Sequence, residues 1–312
     1  MLKPIAIKDK PRHFLALRDH SSETLRHILN QAATWKAERN SGGHPKPLAD
    51  KKLAMLFEKP STRTRVSFDV GMQELGGTTL TLGKNDIQLG HGESVADTAR
   101  VLSRFVNAIM LRCHGHDILL EMAEHADVPV INGLTDYNHP CQIMADLMTY
   151  EEHRGNISGR KIVWLGDGNN VVNSWIVAAQ RFECDLHLVV PKTCMPDAET
   201  VKWAKENGAK LHFSTDPQTA VKSADLVMTD TWVSMGQKDG ERRKKELAGY
   251  QVNEELMALA KPDALFMHCL PAHRGEEVTD GVIDGSQSVV FDEAENRLHA
   301  QKAILLWCFG EI

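Results

Sequence analysis

Residues 61–65 combine hydroxyl and guanidinium side chains in a pattern that could bind an anion. The run Ser-Thr-Arg-Thr-Arg follows a strand predicted over 53–57 and begins a helix predicted to run to 76–77. Unpaired N–H groups and the positive end of the helix dipole favour an anion there. Arginines add charge-assisted hydrogen bonds to phosphate oxygens. A capped helix with exposed arginines explains the run equally well on local grounds, so both interpretations stay open at this point.

Other reactive or charged side chains end predicted strands. Arg112 lies in the strand 108–113, Asp230 follows 226–229, and Cys269 ends 264–269. Open α/β sheets bind ligands at the carboxyl ends of their strands, which makes these three residues candidates. His139 precedes Pro140, which disfavours helical geometry at the histidine and presents its imidazole from a loop at a helix start. Taken singly, a surface arginine, a structural turn and an inert core cysteine are ordinary alternatives.

Two further motifs suggest other chemistry and are weaker. The loop 165–170, Leu-Gly-Asp-Gly-Asn-Asn, could bind a dinucleotide as in a Rossmann-like oxidoreductase, but the glycine fingerprint requires Gly at 171 and Val171 stands there. The run His-Gly-His-Asp at 114–117 has no partner motif at metal-ligand spacing. Asp117 is better explained as the N-cap of a helix predicted over 118–125. We therefore expect no metal and no cofactor.

Strand-like and helix-like segments alternate along the sequence, and these elements must position the candidate residues. The alternation predicts an α/β protein of two domains, each a mainly parallel sheet flanked by helices. Helix signals include a start at Ser21, a helix over 140–153 and a stop at Gly310. We predict domains 1–153 and 154–292, with a last helix of about 293–312 packing back on the first. The predicted strands are 53–57, 78–82, 108–113, 128–132, 161–166, 185–190, 210–213, 226–229, 264–269 and 288–291.

Composition excludes several classes of protein. The 312 residues carry a net charge of −6, which argues against nucleic acid as a partner. The one basic run, 242–245, is interpreted as a solvated helix face. No apolar stretch reaches the roughly 20 residues of a membrane span. Six cysteines without a Cys-x-x-Cys pair indicate reduced thiols, so we expect a cytoplasmic protein.

Five motifs in one order resemble the aspartate/ornithine carbamoyltransferase family. They are 61–65, His-Pro-Cys-Gln at 139–142, Asp-Thr-Trp-Val-Ser-Met-Gly at 230–236, His-Cys-Leu-Pro at 268–271 and Asn-Arg at 296–297. Together they span most of the chain. The spacing Asp-x-x-x-Ser-Met-Gly and the Cys in His-Cys-Leu-Pro are most similar to the ornithine-specific members. They disfavour aspartate, putrescine or acylated ornithine as the acceptor, and the complete motif set disfavours a non-catalytic relative.

The resemblance implies a reaction and a set of site residues. Carbamoyl phosphate and ornithine would give citrulline and phosphate within arginine metabolism, whether synthesis or breakdown, without a covalent enzyme intermediate. Arg112, His139 and Cys269 would act on the reacting groups. Gln88 would reach carbamoyl phosphate from the neighbouring subunit of a homotrimer. The residues implied for carbamoyl phosphate are Ser61, Thr62, Arg63, Thr64, Gln88, Arg112, His139, Gln142, Cys269, Leu270 and Arg297. Those implied for ornithine are Asn170, chosen over Asn169, with Asp230, Ser234 and Met235.

Overall fold

The first parallel sheet contains four strands in the order β2-β1-β3-β4. The computed structural model describes residues 10–41, 45–86, 92–233 and 239–312. The strands are β1 Lys52–Phe57, β2 Thr78–Gly83, β3 Ala108–Arg112 and β4 Val130–Leu134. The chain moves outward from β1 to β2 and then crosses back to β3, so the strand order reverses between β1 and β3. Ligands of open α/β sheets bind beside such a reversal.

The second parallel sheet contains five strands in the order β7-β6-β5-β8-β9. Its strands are β5 Lys161–Leu165, β6 Asp185–Val189, β7 Lys210–Ser214, β8 Leu226–Thr229 and β9 Leu265–Met267. The order reverses between β5 and β8. The predicted fold class, two mainly parallel sheets flanked by helices, is confirmed.

Helices connect and cover the strands. Two of their predicted ends are confirmed: the Ser21 side chain accepts a hydrogen bond from the N–H of Thr24, and Gly310 ends the last helix with φ 76°. The α-helices are α1 Ser22–Asn40, α2 Thr62–Glu74, α3 Val95–Phe105, α4 His116–His125, α5 Pro140–Arg154, α6 Asn170–Arg181, α7 Ala198–Glu206, α8 Pro217–Val221, α9 Gly240–Leu247, α10 Glu254–Met257, α11 Asp280–Ile283 and α12 Val290–Phe309. None of the described helices is long and apolar enough to cross a membrane.

Central elements are buried on more than one side. Strand β3 is buried throughout, as are all residues of β1 after Lys52. Helix α5 is buried from 140 to 150, and α12 packs against α1, α2 and α5. Strands covered on both faces give continuous apolar runs rather than alternation, which is why these strands were predictable.

Two local predictions were wrong. Residues 288–291 form no strand: Ser288 makes one isolated bridge to Phe266, and α12 begins at Val290. Strand β9, beside which residues 288–291 would have paired, has only three residues and so offers few backbone groups for a further strand. Helix α4 begins at His116 with Gly115 as its N-cap, so Asp117 lies inside the first turn. Its charge still faces the positive end of the helix dipole.

Candidate active site

A cleft of about 840 Å³ lies at the carboxyl ends of both sheets. Its walls include the segments after β1, β3, β4, β5, β6, β8 and β9, and therefore both points of strand-order reversal. Eleven predicted site residues line it: Ser61, Thr62, Arg63, Arg112, His139, Gln142, Asn170, Asp230, Cys269, Leu270 and Arg297. Asn169, over which Asn170 was chosen, lines it as well, whereas the predicted Thr64 is buried behind the lining. Gln88, Ser234 and Met235 lie outside the described residues.

The segment after β1 is a capped helix start that faces the cleft. Ser61 is the N-cap of α2, and its Oγ accepts a hydrogen bond from the N–H of Thr64 at 3.3 Å. Thr64 is buried and accepts from the Arg297 guanidinium at 3.0 Å. A hydroxyl that accepts can still donate, so Ser61, which lines the cleft, keeps a proton for an anion. The two interpretations of 61–65 are therefore compatible, because the capped end is itself part of the cleft.

Three arginines, Arg63, Arg112 and Arg297, converge on the same end of the cleft. Within the described part of the chain, none of them forms an ion pair with a carboxylate. Burial, then the charges of Arg297 and Arg63, lower the pKa of Arg112 to about 10. Its Nε is buried and has no partner among the described residues. This end of the cleft therefore has the electrostatics of a site for a multiply charged anion.

Two of these arginines also tie distant segments together. Arg63 donates to the carbonyl oxygen of Leu270, in the segment after β9. Arg297 is 3% exposed and donates to Gln142 Oε1 at 2.6 Å. Both arginines are thereby held in place by neutral acceptors, and neither forms an ion pair among the described residues.

His139 presents a neutral imidazole to the cleft. It is the N-cap residue of α5 and 4% exposed, and its backbone N–H donates to Ser174 Oγ at 2.8 Å. Burial, reinforced by Arg297, Arg112 and Arg63, holds its pKa well below the usual value. Its Nδ1 has no partner among the described residues. A neutral imidazole offers one N–H donor, which suits a carbonyl oxygen.

The cleft also carries a carboxylate, Asp230, directly after β8. Asn169 Nδ2 donates to its Oδ2 at 2.6 Å, and Cys269 Sγ donates to its Oδ1 at 3.1 Å. Asn169 is also the N-cap of α6 and accepts from the N–H groups of Val171 and Val172. Asn170 instead donates to the carbonyl oxygen of Thr135 at 2.8 Å. Both asparagines line the cleft, but Asn169 is the one bonded to Asp230.

The Cys269 thiol is protonated in this environment. Burial and the neighbouring Asp230 raise its pKa well above the usual value. It therefore acts as a hydrogen-bond donor to the carboxylate and lacks the thiolate that a nucleophile requires.

Family models match almost the whole chain. Residues 12–152 match the description "Aspartate/ornithine carbamoyltransferase, carbamoyl-P binding domain", and residues 158–308 match "Aspartate/ornithine carbamoyltransferase, Asp/Orn binding domain". The chain belongs to the aspartate/ornithine carbamoyltransferase family. The resemblance seen in the sequence motifs is thereby confirmed.

Individual members of this family are similar to the chain over nearly its full length. An ornithine carbamoyltransferase of Rhodopseudomonas palustris (strain BisA53) is 60% identical over 311 residues, which cover 98% of this chain and 100% of that protein. One from Nitrobacter winogradskyi is 61% identical over 301 residues, covering 96% of this chain and 98% of that protein. The solved ornithine carbamoyltransferase of Pyrococcus furiosus superposes with a TM-score of 0.93 at 50% identity, covering 97% of this chain and 98% of that chain.

The loop that could have bound a dinucleotide is packed against protein instead. A Cβ built on Gly168 would approach Pro196 N to 2.3 Å and Cys194 O to 2.4 Å. The N–H of Gly168 donates to the carbonyl oxygen of Cys194 at 2.8 Å and is not free for a pyrophosphate, which argues against the oxidoreductase alternative. The family resemblance instead implies a role for Asn170 of this loop in binding ornithine.

Four charged residues at or beneath the cleft were not predicted from the sequence to belong to the site. Arg243 belongs to the basic run predicted to be solvated, yet it pairs with Asp167 at 2.7 Å and its side chain is only 18% exposed. Burial raises the pKa of Asp167 despite this partner. Asp146 and Glu293 are buried beneath Gln142. Asp146 could have been noticed, because it lies one helical turn after Gln142 on the same helix face.

Proposed function

We propose that this protein is an ornithine carbamoyltransferase, which transfers the carbamoyl group of carbamoyl phosphate to the side-chain amine of ornithine. One observation carries the proposal: a single cleft holds three arginines that pair with no carboxylate among the described residues, together with the carboxylate of Asp230. That polarity fits an anionic donor facing a cationic amino acid. The reaction yields citrulline and phosphate.

Carbamoyl phosphate binds at the arginine end in this proposal. Ser61, Thr62 and Thr64 offer hydroxyl and backbone donors at the start of α2, and Arg63 adds its guanidinium. Arg297 and Gln142 lie deeper and meet the carbamoyl end. Gln88 would complete the set, and it lies outside the described residues.

Arg112 and His139 stabilise the charge that develops on the carbonyl oxygen. The amine nitrogen attacks the carbonyl carbon, and the carbonyl oxygen becomes an oxyanion in a tetrahedral intermediate. The bond to phosphate then breaks, and the departing phosphate takes the electron pair and the proton lost by the amine. Each positioned donor to such an oxyanion contributes on the order of 3 kcal/mol to transition-state stabilisation. Because His139 is neutral, it donates without needing to be protonated first.

Ornithine binds at the Asp230 end. The carboxylate would hold the α-amino group, and Cys269 and Leu270 would lie beside the reacting amine and carbamoyl nitrogen. The amine must be neutral to attack, and its free pKa resembles that of lysine, roughly 10. We expect Ser234 and Met235 to bind the α-carboxylate; both lie outside the described residues.

A parallel assay of acceptors tests the function. Purified protein is given carbamoyl phosphate with ornithine, putrescine, aspartate or N-acetylornithine, and the carbamoylated product and phosphate are quantified. We expect kcat/KM for ornithine to exceed that for every other amine at least a hundredfold. A larger kcat/KM for another amine would contradict the ornithine assignment.

We also propose a homotrimer whose sites are shared between subunits. Exposed apolar side chains support it: Val66 on α2 is 53% exposed, Leu80 on β2 51% and Phe105 on α3 70%. Burial of such side chains at an interface would be favourable. In a cyclic trimer each site would combine Arg63 of one chain with Gln88 of the next.

Mixing two inactive variants tests shared sites. Arg63→Ala and Gln88→Ala trimers should each be poorly active and should regain activity when dissociated and reassembled together. A chain with both changes, mixed with either single variant, serves as the control and should recover nothing. Mixed trimers, verified by mass spectrometry, that stay inactive would show that each site lies within one chain.

The predicted division into 1–153 and 154–292, with the last helix packing back, also remains a proposal. It is supported by two separate sheets and by the contacts of α12 with α1, α2 and α5. A cytoplasmic location is proposed from composition alone.

A further inference from the structure

A buried polar cluster lies beneath the cleft, around the side chain of Gln142. Gln142 is 1% exposed, and both of its neighbours Asp146 and Glu293 are buried to a similar degree. Gln142 Nε2 donates to Asp146 Oδ1 at 2.8 Å and to Glu293 Oε1 at 2.9 Å. Both amide hydrogens are therefore directed at carboxyl oxygens, away from the cleft.

The outer oxygens of the two carboxyls are fixed by groups that can only donate. Asp146 Oδ2 accepts from Trp175 Nε1 at 3.0 Å, and Glu293 Oε2 accepts from the backbone N–H of His268 at 2.9 Å. An indole N–H and a backbone N–H cannot reverse their roles. The carboxyls therefore cannot rotate without losing a bond, and they always present acceptor oxygens to Gln142.

The pair carries less charge than two carboxylates would. Within the described residues neither Asp146 nor Glu293 forms an ion pair, and the two carboxyls hydrogen-bond to each other. Burial, with each group's effect on the other, raises the pKa of Asp146 to about 6 and that of Glu293 well above its usual value. Adjacent buried carboxyls share one proton because both cannot ionise together. One proton and one negative charge remain on the pair.

We infer that Asp146 and Glu293 are positioning residues that fix the Gln142 amide with its oxygen toward the cleft. That oxygen accepts from Arg297 at 2.6 Å and has a second lone pair. It accepts a hydrogen bond from an N–H₂ group, so the pair selects a carbamoyl group over acyl groups that have no N–H. This inference rests on the proposed use of carbamoyl phosphate and adds how the donor is recognised.

The test compares three ligands on wild type and Asp146→Asn. Acetyl phosphate has a methyl group where carbamoyl phosphate has its N–H₂, and inorganic phosphate reports on the arginine end alone. An asparagine at 146 cannot satisfy both Trp175 and Gln142 as the carboxyl does, so the Gln142 amide loses its fixed orientation. Dissociation constants are measured by calorimetry.

Wild type should bind carbamoyl phosphate about ten- to a hundredfold more tightly than acetyl phosphate, the range for one hydrogen bond whose buried acceptor is otherwise left unpaired. In Asp146→Asn that ratio should fall at least fivefold, while the affinity for inorganic phosphate stays within twofold. An unchanged ratio, or equal losses for all three ligands, would overturn the inference. If wild type discriminates in this way but makes no citrulline, the proposed function fails and the positioning role stands.

Two further variants keep the test decisive. Glu293→Gln removes one of the two acceptors of Gln142 with almost no change in volume, and it replaces Asp146→Asn if that variant does not fold. In Glu293→Gln the preference for carbamoyl phosphate over acetyl phosphate should fall about threefold. A preference equal to that of wild type would overturn the inference. Thr149→Val is the matched control, because it removes a buried hydrogen bond to Asn296 one turn further along α5. It should lower stability and leave the ratio unchanged.

Discussion

Replacing Arg112 with methionine should move the stability of the free protein and its affinity for phosphate in opposite directions. Arg112 is 7% exposed, and burial with the charges of Arg297 and Arg63 lowers its pKa to about 10. A pKa roughly 2.5 below that of an ordinary arginine corresponds to about 3 kcal/mol of destabilisation of the charged form. The charged guanidinium of Arg112 therefore destabilises the folded protein when no anion is bound.

Methionine retains much of the aliphatic stem and removes the charge. Part of the 3 kcal/mol is offset by lost packing, so we expect a net gain of about 1–2 kcal/mol, or a few degrees in Tm. Binding of phosphate should weaken by about 2–3 kcal/mol, the contribution of one charge-assisted hydrogen bond. The usual stabilisation by saturating phosphate, about 2.7 kcal/mol at a hundred times Kd, should largely disappear.

Thermal unfolding with and without phosphate measures both effects in one experiment. Arg26→Met is the control, because Arg26 pairs with Glu151 at 2.5 Å outside the cleft. It should lose a little stability and keep the response to phosphate. A lower Tm for phosphate-free Arg112→Met, with the phosphate response retained, would refute the electrostatic description of the cleft.

Three other outcomes are expected. Asp230→Asn should raise the KM for ornithine at least tenfold and leave that for carbamoyl phosphate within twofold; steady-state kinetics with each substrate varied would detect the opposite pattern. Because its thiol is protonated, Cys269 should react with iodoacetamide at pH 8 far more slowly than a free cysteine, by mass-spectrometric mapping, and rapid labelling would contradict its raised pKa. Burial lowers the pKa of His20 to about 4. Between pH 6.5 and 4 the His20 imidazole is therefore protonated in the unfolded chain but neutral in the folded one, so the free energy of unfolding falls as pH falls. His20→Phe, which can keep the stacking on Phe14, should reduce that slope by up to about 1.4 kcal/mol per pH unit in denaturant titrations, and an unchanged slope would contradict it.

Features that depend on neighbouring residues were predictable from the sequence. The 61–65 segment was identified because hydroxyls and arginines at a strand-to-helix junction are a local signal, and Ser61 is the N-cap of α2 as that signal requires. Parallel sheets followed from continuous apolar runs. The α5 helix start was predictable because Pro140 suits the first helical turn and constrains His139 before it.

Features decided by distant partners were not predictable. The choice of Asn170 over Asn169 could not be made locally, because the difference lies in contacts with Thr135 and Asp230. Arg243 looked solvated because its partner Asp167 comes from another part of the chain. The pairing of Asp146 with Glu293 joins α5 to α12, and no local pattern encodes it. The strand predicted at 288–291 was wrong because a short apolar run is compatible with either a buried strand or a buried helix.

A bisubstrate compound tests the central claim, that one cleft brings both substrates together, most directly. A phosphonoacetyl group joined to the side-chain nitrogen of ornithine places the anion and the amino acid at the spacing of the intermediate. Calorimetry should show one molecule bound per chain, with an affinity at least a thousandfold above that of either phosphonoacetamide or ornithine, because linkage makes the second contact intramolecular. An affinity no better than that of phosphonoacetamide would show that the two ends of the cleft do not act on one reaction.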